Sequence, residues 1–248
     1  MQLQLSSWPE IDAYLKTSKA ILIPIGSTEQ HGPTGLLGTD SLCPELIAQR
    51  AGDEAGFLVA PTFNVGQSQH HMAFAGTITL RPSTMIAAMT DWADSLRRHG
   101  FERIYWLNGH GGNLATINTA ITAIYHSLTF AGIDANASGL RCMVRNWWDL
   151  QGEGDLCREL FPVGEGSHAT PSEISITRYM YPDVVKRADL HPRIAPTGPI
   201  FDAGDFRRRY PDGRIGSDPS QADADAGEKL VDAAVRAVIA DFRQFAAG

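Results

Sequence analysis

Cysteine is scarce in this chain: Cys43, Cys142 and Cys157 are the only three, and no two of them stand in a CxxC spacing. An odd, unpaired set excludes a disulfide framework and a thiolate zinc site, and it predicts ordinary reduced thiols. Long apolar runs are absent as well. No stretch approaches the roughly 20 residues that span a bilayer, and the opening MQLQLSSWPEID lacks the basic start and apolar segment of a secretory leader. A cytoplasmic protein with no membrane partner is expected. Positive charge is also short, with 21 Lys and Arg against 28 Asp and Glu and a net charge of −7. That balance offers no general attraction to nucleic acid or to an anionic membrane, and it points to a small-molecule partner.

What is present is the composition of a globular protein, 43% hydrophobic and 20% charged over 248 residues, which suits one domain spanning 1–248. Strand-like runs at 19–26, 57–66, 101–109 and 139–148 alternate with helical patterns at 40–56, 82–100 and 113–130. This order predicts an α/β fold, a mostly parallel sheet covered by helices on both faces. Ligands of such sheets bind beyond the carboxyl ends of the strands. Segment 191–227, rich in Gly, Pro, Asp and Arg, reads as a long ordered loop or lid, because one helix at 227–247 is all that comes after it.

Three loops at predicted strand or helix ends carry chemistry. In GSTEQHGPTGLLGTD (26–40), Glu29 and His31 leave the first strand. Residues i and i+2 of an extended chain point the same way about 6.5 Å apart, so both side chains can converge on neighbouring cations. Asp40 returns after the turn, where a carboxylate can bridge two ions; it also fits an N-cap. The second loop, LNGHGGN (107–113), supplies His110, and its glycines at 109, 111 and 112 allow close backbone approach to a ligand. Anion binding competes there, but the loop matches neither GxGxxG nor a Walker motif. The third, EGSHATPSEIS (165–175), holds His168 and Glu173. Thr170, Pro171 and Glu173 form a capping-box pattern, so Glu173 can be a cap or a ligand.

Five blocks, PIGSTEQHGPTGLLGTD, GQSQHHMAFAGTITL, NGHGGN, SHATPSEIS and IGSDPSQADADAGEKL, together resemble the creatininase, or creatinine amidohydrolase, family, in family order and over most of the chain. The resemblance implies an α/β/α sandwich with two divalent metals at the carboxyl edge of the sheet, in a homo-oligomer that is often a hexamer. It makes Glu29 and His110 ligands of one metal, His31 a ligand of the other, Asp40 the bridge and His168 the proton shuttle. Ser68, His71 and Gly109 fall on the substrate side, with Trp147 and Trp148 where family members place an aromatic wall. Mixed carboxylate and imidazole ligands suit Zn, Mn or Fe.

One departure stands out. True creatininases carry a glutamate ligand in a GHxEN pattern, and this chain has Gly112 in its place. Glu173 is then the candidate to complete the second site, and a roomier pocket is expected at Gly112. GHGGN is similar to other branches of the family, including a deformylase of a pyrimidine nucleotide intermediate and a peptidase of mycofactocin maturation. The expected reaction is hydrolysis of a C–N bond in a cyclic amide, formamide or peptide-like amide by metal-activated water. The alternatives are hydrolysis of a lactone or cyclic ketone, and a non-catalytic metal-binding assembly.

Overall fold

Ala-Ile-Leu-Ile-Pro-Ile, six apolar residues in a row, form the first strand, β1 (Ala20–Ile25), and all six are buried. Such a run has no polar alternation because both its faces are covered. The computed structural model describes residues 1–134 and 139–248. In chain order its helices are α1 (Trp8–Leu15), α2 (Thr39–Ala55), α3 (Pro82–Arg98), α4 (Leu114–Phe130), α5 (Glu153–Leu160), α6 (Pro171–Met180), α7 (Ala203–Arg209) and α8 (Ala224–Ala247). The period of two along β1 sends Ala20 and Leu22 into one core with α2 and α8, and Ile21, Ile23 and Ile25 into the other with α3 and α4. The result is a sheet between two helical layers.

β2 (Arg103–Asn108) lies parallel to β1, and β3 (Arg141–Asn146) parallel to β2. Register sets where the strands end. Ile25 faces Asn108 and Asn108 faces Asn146, so the three strands end level and the loops after them open on one edge.

The expected strand at 57–66 is broken. It meets β1 at two isolated parallel bridges, Leu22 with Val59 and Ile25 with Phe63. Ala60 N donates to Leu22 O at 2.9 Å and Phe63 N to Pro24 O at 2.9 Å; Pro61 lies between them and has no N–H to continue the ladder. The expected loop at 191–227 also differs, since it contains α7 and the first turn of α8. Asp202 and Asp223 cap these helices, accepting from Asp205 N at 2.8 Å and Ala226 N at 2.9 Å. The rest of the segment is bolted down by the fully buried guanidinium of Arg214, which bonds Asp212 and the carbonyls of Pro192, Arg193 and Ser217. Among the described residues no helix is long and apolar enough to cross a membrane.

Candidate metal centre

The level strand ends bring the Glu29, His110 and Trp147 loops together, and two glycines admit α2 between them. A Cβ on Gly26 would lie 2.1 Å from the Asp40 carbonyl oxygen, and one on Gly109 2.0 Å from the same atom. Any larger residue at either position would push back the start of α2. With both glycines, the Asp40 carboxylate reaches the centre of the edge. The backbone approach expected of Gly109 is therefore made to α2, although Gly109 also lines the cavity beside the cluster.

Around Asp40 the polar side chains close in. Its Oδ1 lies 2.9 Å from His31 Nε2 and its Oδ2 2.9 Å from His110 Nδ1. Glu29, fully buried, has Oε2 3.3 Å from His110 Nε2 and Oε1 3.1 Å from His71 Nε2. His31 is oriented from behind by the Glu29 carbonyl, 3.0 Å from its Nδ1, the usual support for a metal-bound imidazole. Ligand atoms gather within 4.8 Å in three sets: Glu29, Asp40 and His110; His31, Asp40 and Glu173; and Glu29, His31 and His168. Asp40 belongs to the first two.

Whether a cation fits can be read from the oxygens. Glu29 Oε1 and Asp40 Oδ2 are buried and have no hydrogen-bond partner among the described residues. Imidazole nitrogens stand 3.1 and 2.9 Å from them, close but off the hydrogen-bond line. Lone pairs turned toward shared space, with mixed oxygen and nitrogen donors, suit a divalent ion. The titration of the cluster agrees. Burial disfavours the charge on His31, yet Asp40 overrides it and brings the imidazole to about 10; Glu29 and Asp40 likewise override burial at His110, to about 9. Burial opposes ionisation of Glu29, but His110 reverses that and holds the carboxyl at about 2, and His31 and His110 drive Asp40 down.

Protons on His31 and His110 thus balance the carboxylates of the ion-free protein. Their folded values exceed the ordinary 6.5, so the stability they contribute is present below about pH 6.5 and is lost as pH rises through 9 to 10. A metal must expel those protons. Calorimetric titration of metal into chelator-treated protein, in buffers of different ionisation enthalpy, is expected to show about two protons released per chain near pH 7. Binding without proton release would contradict this charge balance.

Glu173 does two things at once: Oε1 accepts from Thr170 N at 2.6 Å, completing the capping box of α6, while Oε2 stands 4.0 Å from His31 Nε2. A cavity of about 690 Å³ opens beside the centre, lined by Asp40, His71, His110, Trp147, Trp148, His168 and Glu173 among others. Trp147 is at the same time part of the buried core, whereas Trp148 is half-buried. Ser68 does not line the cavity. It sits fully buried behind Glu29, donating to Oε2 and sharing a hydrogen bond with Ser27. Gly112 lines the cavity but has no room for a side chain, because a Cβ there would lie 2.4 Å from His110 Nε2 and 2.8 Å from Gln67 O; the His110 ring takes that space.

Two residues of the site escape a sequence reading. Glu165, a cavity residue, accepts from Ser172 Oγ through Oε1 and keeps Oε2 buried without a partner among the described residues; burial raises its carboxyl to about 7. Gln30 sits between two predicted ligands and packs behind them, and the alternation that singles out its neighbours is the only signal that points to it.

Similarity to known proteins is specific. The creatininase model, described as creatinine amidohydrolase, matches residues 4–242. The chain is 26% identical to a creatinine amidohydrolase of Pseudomonas putida, over 96% of this chain and 94% of that protein. It is 28% identical to a mycofactocin precursor peptide peptidase of Mycobacterium ulcerans, over 91% of this chain and 81% of the relative. A solved structure, "Creatininase Mn", superposes with a TM-score of 0.83 at 26% identity, covering 99% of this chain and 98% of its own. The five sequence blocks, the sandwich with its level strand ends and the acid–histidine cluster all lead to one assignment: the chain belongs to the creatininase family.

Proposed function

We propose that this protein is a binuclear metal-dependent amidohydrolase that cleaves a C–N bond by activated water. The observation that carries the reading is the pair of ligand sets sharing Asp40, Glu29–Asp40–His110 and His31–Asp40–Glu173, opening on the cavity. Two divalent ions bound there, Zn, Mn or Fe, would supply a water of lowered pKa and polarise the amide carbonyl. The protein's own groups do the rest. Asp40 would be shared between the two ions, Glu29 and His110 would hold one, and His31 and Glu173 would hold the other. His168 lines the cavity, takes a proton from the attacking water and returns it to the departing nitrogen, which leaves poorly as an anion. Trp147, Trp148, His71 and Gly109 face the substrate, with Ser68 acting through Glu29. Solved creatininase structures are described as "Creatininase Mn" and "Zn-Zn type", which supports manganese and zinc alike as candidates here.

For substrate, the reading is an amide larger than creatinine. The cavity of about 690 Å³ exceeds what a small ring fills, and one relative over most of the chain is named a precursor peptide peptidase. The test is turnover of metal-loaded protein on cyclic amides, formamides, short peptides and lactones. Creatinine kcat/KM at or above ~10⁴ M⁻¹s⁻¹, an ordinary enzymatic value, would overturn the larger-amide reading, and turnover of lactones alone would overturn the amide reading altogether. A homo-oligomer is part of the proposal, because Leu5 and Trp8, 78% and 77% exposed, offer apolar surface that a second copy would cover.

Glu173→Gln separates ligand from cap. Glutamine accepts at Thr170 N as well as glutamate does, so the thermal midpoint should hardly move. The lost negative charge should release or weaken one ion, on the order of 10–100-fold in affinity. Glu173→Ala should do both, adding about 1 kcal/mol of lost capping. Unchanged metal content in the glutamine variant would leave Glu173 as a cap only.

A further inference from the structure

We infer that Gln30, which carries no charge and belongs to none of the ligand sets, is the positioning residue that decides which ring nitrogen of His71 and of His168 bears the proton. The inference rests on the proton-transfer role proposed for His168 and on a count of donors and acceptors around the Gln30 amide.

The orientation of that amide is set by its two backbone partners. Oε1 lies 2.8 Å from Gly32 N, and Nε2 lies 2.8 Å from the Gly213 carbonyl. Exchanging oxygen and nitrogen would set N–H against N–H and oxygen against oxygen, so only one orientation serves. One amide hydrogen goes to Gly213 O. The other goes to His71 Nδ1, 2.8 Å away. An amide nitrogen accepts nothing; His71 Nδ1 is therefore the lone-pair nitrogen and its proton sits on Nε2, 3.1 Å from Glu29 Oε1.

His168 is fixed by the same residue through its main chain. His168 Nε2 lies 2.8 Å from the Gln30 carbonyl and 3.0 Å from Gln30 Nε2. Both amide hydrogens are already committed and the carbonyl can only accept, so His168 Nε2 is protonated and donates to it. That leaves the Nδ1 lone pair turned to the cluster, 3.7 Å from Glu29 Oε1, as the nitrogen free to receive a proton. The two rings stack at 4.4 Å between centroids, so the seat of one supports the other. Gly213 is required for this arrangement: a Cβ there would lie 1.9 Å from Gln30 Oε1.

The decisive measurement is the tautomer of each imidazole in zinc-loaded, ¹⁵N-histidine-labelled protein, read from two-bond ¹⁵N–¹H correlations. Both His71 and His168 are expected to be protonated at Nε2. Gln30→Glu, near in size but accepting where the amide donates, should move the His71 proton to Nδ1 and lower kcat on the order of 10–100-fold, as changes to groups behind metal ligands do. Metal content should stay at the wild-type value and KM should change little. Gln30→Met, which fills the space without polar atoms, should lower kcat likewise. A wild-type His168 protonated at Nδ1 overturns the inference even if neither variant folds, and so does a Gln30→Glu protein with wild-type tautomers and turnover. Full turnover by His168→Ala would overturn the proton-transfer role instead, leaving the tautomer assignment to stand on its spectrum.

Discussion

Asp40→Ala is expected to release at least one ion per chain and to cut turnover by about 10³-fold or more. Asp40 is the carboxylate common to two ligand sets, and each of its oxygens stands 2.9 Å from a different imidazole, His31 or His110. In the proposed two-ion site, removing it takes a ligand from each ion, and neither ligand set holds a spare carboxylate. The loss corresponds to several kcal/mol of transition-state charge stabilisation, at about 1.36 kcal/mol per tenfold in rate. The backbone should tolerate the change, because Gly26 and Gly109 hold the Asp40 main chain and the side chain does not. Elemental analysis of the purified variant is the check, and two ions retained per chain would refute the bridge.

The same residue illustrates what a sequence can carry. Asp40 is readable both as a ligand and as an N-cap, because both roles place a carboxylate at a helix start. The structure gives the N-cap position to Gly38 and turns Asp40 inward. For Glu173 the two readings are not exclusive, since a carboxylate has two oxygens and each finds its own partner. The strands of the sheet are legible as unbroken apolar runs, and their carboxyl ends point to the site. The 57–66 segment misleads because its composition is that of a strand, whereas hydrogen bonding at Pro61 is not a matter of composition.

Other features depend on side-chain placement at long range, which no local pattern encodes. Ser68 and Glu29 are 39 positions apart in the chain yet hydrogen-bonded, and Gln30 meets Gly213 across 183. Gly112 misleads in the opposite sense. Absence of a side chain suggests space, but the histidine two residues earlier fills it. α7 is hidden by the Gly, Pro and Asp around it, although the Asp202 cap is there to be seen.

His168→Ala should leave metal content nearly unchanged and depress kcat on the order of 10²–10⁴-fold, the range of a lost general acid–base. The rival role is a real one, since a His168 nitrogen also gathers within 4.8 Å of Glu29 and His31 ligand atoms. Two observations favour proton transfer. Burial, reinforced by the charge of His31, holds its imidazole well below the ordinary 6.5, so it stands neutral with a lone pair on the ring. Its backbone is anchored independently of any ion, by Ser217 Oγ donating to its carbonyl at 2.7 Å and by pairing with Ile215. Ala169 beside it adopts φ 54 while fully buried, a left-handed conformation that such packing must enforce. The alanine variant should therefore keep this loop and lose only the ring. Added imidazole should restore part of the rate, since the vacated space adjoins the cavity. Loss of an ion in His168→Ala would instead make His168 a ligand and move proton transfer elsewhere.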